Sequence, residues 1–419
     1  MPNMKKETAS GGALDSQSVD NDMARSIENL GHDVFNDFDF NNPVFNERIN
    51  DVLDEQLRIC PIARSNVGTG YWWVTRNEDI KRIGQDWRTF SSAQGYQPNR
   101  QEGMPWIYPV EMDPPYQTAW RRVLNPHLTP AVVESFVPAI RDDVNELIDR
   151  FVDKGECEFI SELGVILPGW AFFKNSLGLS VDMLDELVTT MEASLFGPID
   201  QRVDQLKRSF VFLDEYLKQR EKEPPRGDMI DTILAGVTYP DGTEAPWDHK
   251  LGIAADLTIG GIGTTTYVMG SALHYLAEHP EVRKQLIENP AMMPGAVEEF
   301  IRAFPPVIGL GRVCMKDTEV AGTLIKEGDF TVLAYGAASR DPRVVENPQE
   351  IDLTRDSVVH ATFGVGPHRC IGSHMARANI SCTIEEWLKR IPDFSVKPGT
   401  KPSYETSQLR QMVDLHLVW

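Results

Sequence analysis

One cysteine stands in a setting suited to chemistry. Cys370 falls near the end of the run Phe363-Gly364-Val365-Gly366-Pro367-His368-Arg369-Cys370-Ile371-Gly372, and a helical pattern begins directly after it with Ser373, His374, Met375, Ala376 and Arg377. Two glycines and a proline before the cysteine make a tight loop. Glycine permits positive φ and the close backbone approach that a bound planar group needs. A thiol at a helix start has its thiolate favoured by the macrodipole and the free N–H groups there. No second cysteine lies nearby at a zinc spacing, so zinc is not indicated. Cys60, Cys157, Cys314 and Cys382 read as small buried hydrophobes.

Two further strings combine chemical groups with helical spacing. Gly260-Gly261-Ile262-Gly263-Thr264-Thr265 places three glycines inside a helical pattern. Each costs about 0.5–1 kcal/mol relative to alanine, which points to a local reason for them. Asp256 lies seven residues before Gly263. At about 100° per residue it falls within about 20° of the same face, roughly two turns away. Glu299-Phe300-Ile301-Arg302 sets an acid and a base at i,i+3, which on a surface is worth about 0.2–0.5 kcal/mol.

The elements that must position these groups are mostly helices. Helical patterns fill 44–63, 78–83, 130–153, 180–222, 251–277, 280–288 and 294–303. Strand-like pieces occupy 70–75, 310–335 and, weakly, 406–418. Residues 92–115 and 223–248 read as loops, and Asp113-Pro114-Pro115 opens a helix. The expected fold is mainly α with a small β region. Without a repeat or an internal linker, a single domain over 36–419 behind a polar tail, 1–35, is expected. Residues 1–22 hold no apolar run of a secretory signal. The stretch 251–277 alone suggests a membrane span, but its Asp256, glycines and threonines fit a core helix better, so no membrane is expected.

Composition narrows the partners. The 419 residues carry 41 Lys+Arg against 62 Asp+Glu, a net charge of −21, which argues against nucleic acid. A 41% hydrophobic share is that of a globular chain. Five cysteines in such a length are no disulfide scaffold; a reducing, cytoplasmic setting is expected.

The cysteine run resembles the cysteine-ligand loop of the cytochrome P450 family of haem-thiolate monooxygenases. Glu299-Phe300-Ile301-Arg302 is similar to that family's Glu-x-x-Arg motif, with Arg355 of Asp352-Leu353-Thr354-Arg355 as third member. The resemblance spans roughly residues 40–419 and is nearest the soluble bacterial camphor hydroxylase branch. Met112-Asp113-Pro114-Pro115, Trp387-Leu388-Lys389-Arg390-Ile391-Pro392-Asp393-Phe394-Ser395 and the final Leu417-Val418-Trp419 carry that likeness. It implies the P450 fold and haem b, with Cys370 as the axial iron ligand. Gln117, Arg121, Arg312 and His368 stand at the positions that hold the haem propionates. Glu299, Arg302 and Arg355 are implied to be structural, bracing the haem loop. Thr264 takes the place of the family's oxygen-activating alcohol.

Gly263 stands where the family usually has the Asp or Glu that relays protons. Three accounts stay open: another group or a water chain delivers protons, turnover is slow or leaks peroxide, or the residue is a specialised or engineered change. The loop Met104-Pro105-Trp106-Ile107-Tyr108 falls at the branch's substrate-recognition loop. Pro105 replaces its substrate-binding tyrosine, so camphor is not expected. Trp106 and Tyr108 offer an aromatic wall, or one of them belongs to the core. Asp256, Ile259, Ile308, Gln408 and Leu409 match other pocket positions, Asp256 touching a polar or cationic substrate group or supporting a water chain. The implied substrate is small and hydrophobic, terpenoid-like or aromatic. Electrons from NAD(P)H would pass through a ferredoxin reductase and a 2Fe-2S ferredoxin docked near Arg121, Arg122, Arg369 and Arg377, with O2 as oxidant. Rival readings are an H2O2-driven peroxygenase, prompted by Gly263, and a non-catalytic haem sensor or binder.

Overall fold

The computed structural model describes residues 31, 33–177 and 183–419. Of the tail expected over 1–35, residues 1–30 and 32 lie outside the described residues. Val34 is buried, and its carbonyl accepts from Gln56 Nε2 at 2.5 Å.

Helices make most of the body, many of them where the apolar period predicts one. Pro130–Asp149 opens on Thr129, whose hydroxyl accepts from the Val132 N–H, with Pro130 in the first turn. It buries Val133, Ile140, Val144, Leu147 and Ile148 along one face. That face packs against Ser373–Arg390, and Arg141 pairs with Glu385 and Glu386 across the seam. The expected helix over 180–222 is two helices, Leu184–Phe196 and Arg202–Arg220, with residues 180–182 outside the described ones. Gly197 and Pro198 separate them, because proline cannot continue the ladder. A short helix, Met229–Ala235, sits inside the expected loop 223–248, its start capped by the Asp228 carboxylate on the Asp231 N–H.

The expected helix 251–277 is also broken. Trp247–Gly261 and Gly263–Glu278 meet at Ile262, whose backbone turns to φ −105°, ψ −78°. Three glycines weaken the helix there. Among the described residues no helix is long and apolar enough to cross a membrane.

A five-stranded sheet runs Ile62–Ser65, Tyr71–Val74, Phe330–Leu333, Leu310–Cys314, Phe90–Ser91 in space. Only the second and third strands pair in parallel. Trp73, fully buried, holds the sheet against Phe38 and Phe40, with ring centroids 4.8 and 5.9 Å away. On the strand Leu310–Cys314, Leu310 and Arg312 share a face by the two-residue period and reach the site described below. The second apolar core lies among the helices. Trp387 packs there among Phe151, Phe159, Phe394 and Trp419, all within 6.0 Å between ring centroids. It fixes the helix that follows Cys370.

A buried charge cluster ties these layers together. Glu299 and Arg302 are wholly buried and form a bidentate pair at 2.7 and 2.8 Å. Glu299 also accepts from Arg355 Nε and the Asp352 N–H, both at 3.0 Å. Arg302 donates to the carbonyls of Ser339, Pro348 and Glu350. The pair thus pins an irregular segment whose backbone has few partners of its own. Removing one member strands a buried charge, so Arg302→Ala is expected to lose about 3–5 kcal/mol in urea unfolding.

Candidate active site

The cysteine loop is shaped by its glycines. Gly364 and Gly366 hold φ of +68° and +70°, a region that side chains resist. A single 3₁₀ turn, Gly366–His368, follows, and the Cys370 N–H returns to the Phe363 carbonyl at 2.7 Å. A Cβ on Gly366 would lie 2.2 Å from the Gly84 carbonyl oxygen, so the loop presses backbone to backbone on the helix Asn77–Gln85. The loop is also tied to the Met293–Ala303 helix. Thr362 Oγ1 donates to the Ile301 carbonyl at 2.9 Å, and Ser339 Oγ meets Thr362 Oγ1 at 3.2 Å.

Cys370 lies in one chamber with Gln117, Arg121, Arg312 and His368, and with Asp256, Gly260, Gly261 and Thr264 on the helix pair that breaks at Ile262. Burial pushes the thiol up, while the Gly372 backbone and Arg121 pull it down. The free thiol is therefore protonated at neutral pH, and a bound metal cation is what would hold the sulfur ionised.

The polar end of the chamber favours anions. Arg121 comes from the helix Tyr116–Leu124 and donates to the Arg369 carbonyl at 2.6 Å. Arg312 donates to the Gly311 carbonyl at 2.7 Å. Neither guanidinium has a carboxylate partner among the described residues. His368 contacts Ser92 Oγ at 3.2 Å, and burial, with Arg312 and Arg121 beside it, holds its imidazole well below its usual range. Gln117 donates to the Pro367 carbonyl at 2.7 Å. Two unpaired cations and two further polar groups facing a chamber with a thiol suit a planar ligand that carries two carboxylates and a metal. A haem fits that set.

On the opposite wall, Thr264 Oγ1 donates to the Gly260 carbonyl at 3.0 Å. A Cβ on Gly260 or Gly263 would meet nothing within 4 Å, whereas one on Gly261 would press on Phe172 at 3.1 Å. Packing therefore does not exclude a side chain at 263. Gly263 is not among the chamber-lining residues, but Asp256 is. The helix break separates the two faces that unbroken helical spacing would align.

The other expected pocket residues scatter. Trp106 is 39% exposed and lies under the Arg100 guanidinium at 3.9 Å. Tyr108 packs on His249, with ring centroids 4.5 Å apart, and against Gly252. Ile308 is in the core beside the sheet, and its N–H donates to the Gln408 carbonyl. Leu409 bridges Val307, itself a chamber residue. Ile259 and Gln408 line a second cavity with Tyr96, Gln97, Arg202 and Leu206. Sequence reading missed Phe172, Leu257, Val307 and Leu310 on the main chamber wall. It also missed Tyr96 and the wholly buried Glu111, which accepts from Arg100 Nε at 3.2 Å and from the Ile107 N–H at 2.7 Å. Polar–apolar alternation near residue 96 gave no signal for them.

The cysteine side is less basic than expected. Arg377 is paired with Glu298 and covers Phe363 at 4.5 Å, and Arg121 is turned inward. Against burial, His360 and Arg377 pull the Glu298 carboxyl down to about 2. Arg122 and Arg369 stay exposed.

Gly366→Ala is expected to lower the haem-bound fraction in an absorbance titration, because both conformation and contact forbid it. Gly322→Ala, at φ +81° with nothing within 4 Å, is expected to cost only about 1 kcal/mol and to leave haem uptake unchanged.

Comparison with known proteins gives a consistent result. The family description "Cytochrome P450" matches residues 175–414. The probable cytochrome P450 127A1 of Sinorhizobium fredii is 32% identical over 354 residues, 84% of each chain. Nocardicin C N-oxygenase of Nocardia uniformis is 29% identical over 374 residues, 85% of this chain and 92% of its own. The crystal structure of CYP101J2 superposes with a TM-score of 0.79 at 25% identity, covering 93% of this chain and 96% of that one.

Proposed function

The chain belongs to the cytochrome P450 family of haem-thiolate monooxygenases, and from that premise we propose that it oxygenates a small, mainly apolar molecule, terpenoid-like or aromatic, in the chamber above Cys370. The fold is mainly α with a small β region, the P450 fold. The cofactor of the family is haem with a cysteine thiolate on the iron, and when bound it supplies the activation of O2 and the transfer of one oxygen atom. One observation carries the site assignment: a single thiol, two unpaired guanidinium groups and a hydroxyl-bearing helix break face one chamber.

In this reading Cys370 would hold the iron through its sulfur. Arg121, Arg312, His368 and Gln117 would hold the propionates, and the two guanidinium groups would gain the anions with which no side chain pairs them. Glu299, Arg302 and Arg355 brace the loop from behind. Thr264 would be the proton-handling hydroxyl of the chamber, and its bond to the Gly260 carbonyl is the one it would give up to do so. Phe172, Leu257, Val307 and Leu310 exclude water and press the substrate into place. The haem domain spans 36–419.

NAD(P)H would supply electrons through a reductase and a 2Fe-2S ferredoxin that docks at the exposed Arg122 and Arg369. A cytoplasmic setting agrees with the five cysteines, all free. One relative is named for oxygenating nitrogen, so chemistry at carbon and at nitrogen both stand within reach of this fold.

Gly263 favours one competing reading, a peroxygenase that takes H2O2 and needs no acid at that position. Turnover with ferredoxin, reductase and O2 against H2O2 alone separates the two, and the monooxygenase reading expects the first to be faster. Thr264→Ala is expected to lower product formed per reductant consumed by about tenfold or more. Cys370→Ser is expected to abolish the thiolate signature in the absorbance of the reduced, CO-treated protein.

A further inference from the structure

Asp256 is a charge with no partner in a chamber that is otherwise apolar on that side. It accepts no hydrogen bond and forms no ion pair among the described residues. Its neighbours on the helix, Ala255 and Leu257, are buried, and its own accessible surface opens onto the chamber. Gly260 and Thr264 follow at i+4 and i+8 and line the same chamber. Asp256 thus sits about 6 Å along its helix from Gly260, with Thr264 beyond the break at Ile262.

The groups around it do not satisfy it. Glu111, the second carboxylate nearby, is committed to Arg100 and the Ile107 N–H. Arg121 faces Asp256 but belongs to the cluster with Arg312 and His368 that a dianionic cofactor would draw on. The Tyr96 hydroxyl accepts from Gln97 Nε2 at 3.0 Å and keeps its own proton free. Burial raises the Asp256 carboxyl to about 7, against Arg121 and with Glu111. A buried carboxylate without a counterion is strongly unfavourable, whereas a cation beside it restores the balance.

Building on the monooxygenase reading above, we propose that the substrate carries a cationic nitrogen, which Asp256 anchors while its apolar body extends along the helix toward Thr264. The anchor fixes one end and the apolar wall fixes the rest, so the carboxylate sets both affinity and the position that is oxygenated. This makes Asp256 a specificity-determining residue rather than a structural one.

The test uses the haem-loaded protein at pH 8 and two probes of one shape. Benzyltrimethylammonium carries a permanent charge and cannot ligate iron through its nitrogen; neopentylbenzene is its neutral isostere. Dissociation constants come from calorimetry and from the ferric spin-state change, for the wild type, Asp256→Asn and Asp256→Glu. The expected result is that Asp256→Asn shifts the cation-to-neutral affinity ratio by about tenfold against the cation. The neutral probe should stay within about twofold and Asp256→Glu should restore the preference. An unchanged ratio overturns the proposal, as does failure of both probes to bind the wild type. So does a variant that binds both probes normally yet consumes reductant without product, which would make Asp256 a proton carrier. Oxygenation of neopentylbenzene by the wild type with ferredoxin and O2 is read separately. If it proceeds while the ratio is unchanged, only the anchor fails; if neither probe is oxygenated although the ratio shifts, the anchor stands and the monooxygenase reading falls.

Discussion

Two guanidinium groups that face a buried chamber without an ion-paired carboxylate impose the constraint on which this molecule is organised. Arg121 comes from a helix near the first third of the chain and Arg312 from a central strand of the sheet. Holding them there raises the energy of the protein alone, because each charge loses water without gaining an ion-paired counterion. The arrangement is favourable only when an anionic ligand binds between them. Binding energy and folding energy are therefore one quantity here, and haem adds to stability by mass action. His368, kept neutral beside both, adds no third positive charge.

Cys370 would hold the iron of the same ligand, and this explains the rest of the loop's construction. Gly364 and Gly366 turn the chain where side chains would not allow it. Thr362 and Ser339 tie the turn to the Met293–Ala303 helix, whose Glu299 and Arg302 in turn hold residues 348–352. A charge cluster that does no chemistry thus carries rigidity to the sulfur through a short series of hydrogen bonds.

What the sequence disclosed follows from how local each feature is. The loop around Cys370 and the Glu299–Arg302 pair are short strings whose geometry is set by neighbours in the chain, so they could be read directly. Arg121 and Arg312 were found by their distance from recognisable motifs, although nothing in either segment alone marks a ligand. The substrate wall was poorly legible, because it is assembled from a long loop and distant segments whose approach is decided by tertiary packing. Trp106 was expected to face the ligand, but Arg100 covers it at the surface. The helix over 251–277 was read as continuous because apolar periodicity persists through Ile262; the interruption comes from accumulated glycine and threonine side chains that bond to the backbone.

The contact between Gly366 and Gly84 has a consequence for tolerance to change. Each residue lies so near the other segment that even a methyl group would collide, with Val365 in one case and the Gly84 carbonyl in the other. Backbone meets backbone at Gly366 and the Val365 side chain fills the space over Gly84, so that flank of the cysteine loop is tightly packed. The second cavity is bordered differently, by the longer side chains of Gln97, Leu206 and Gln408. The cysteine loop therefore has a fixed flank, while the second cavity has an adaptable rim. Substitution at that rim leaves the seam that fixes the loop untouched.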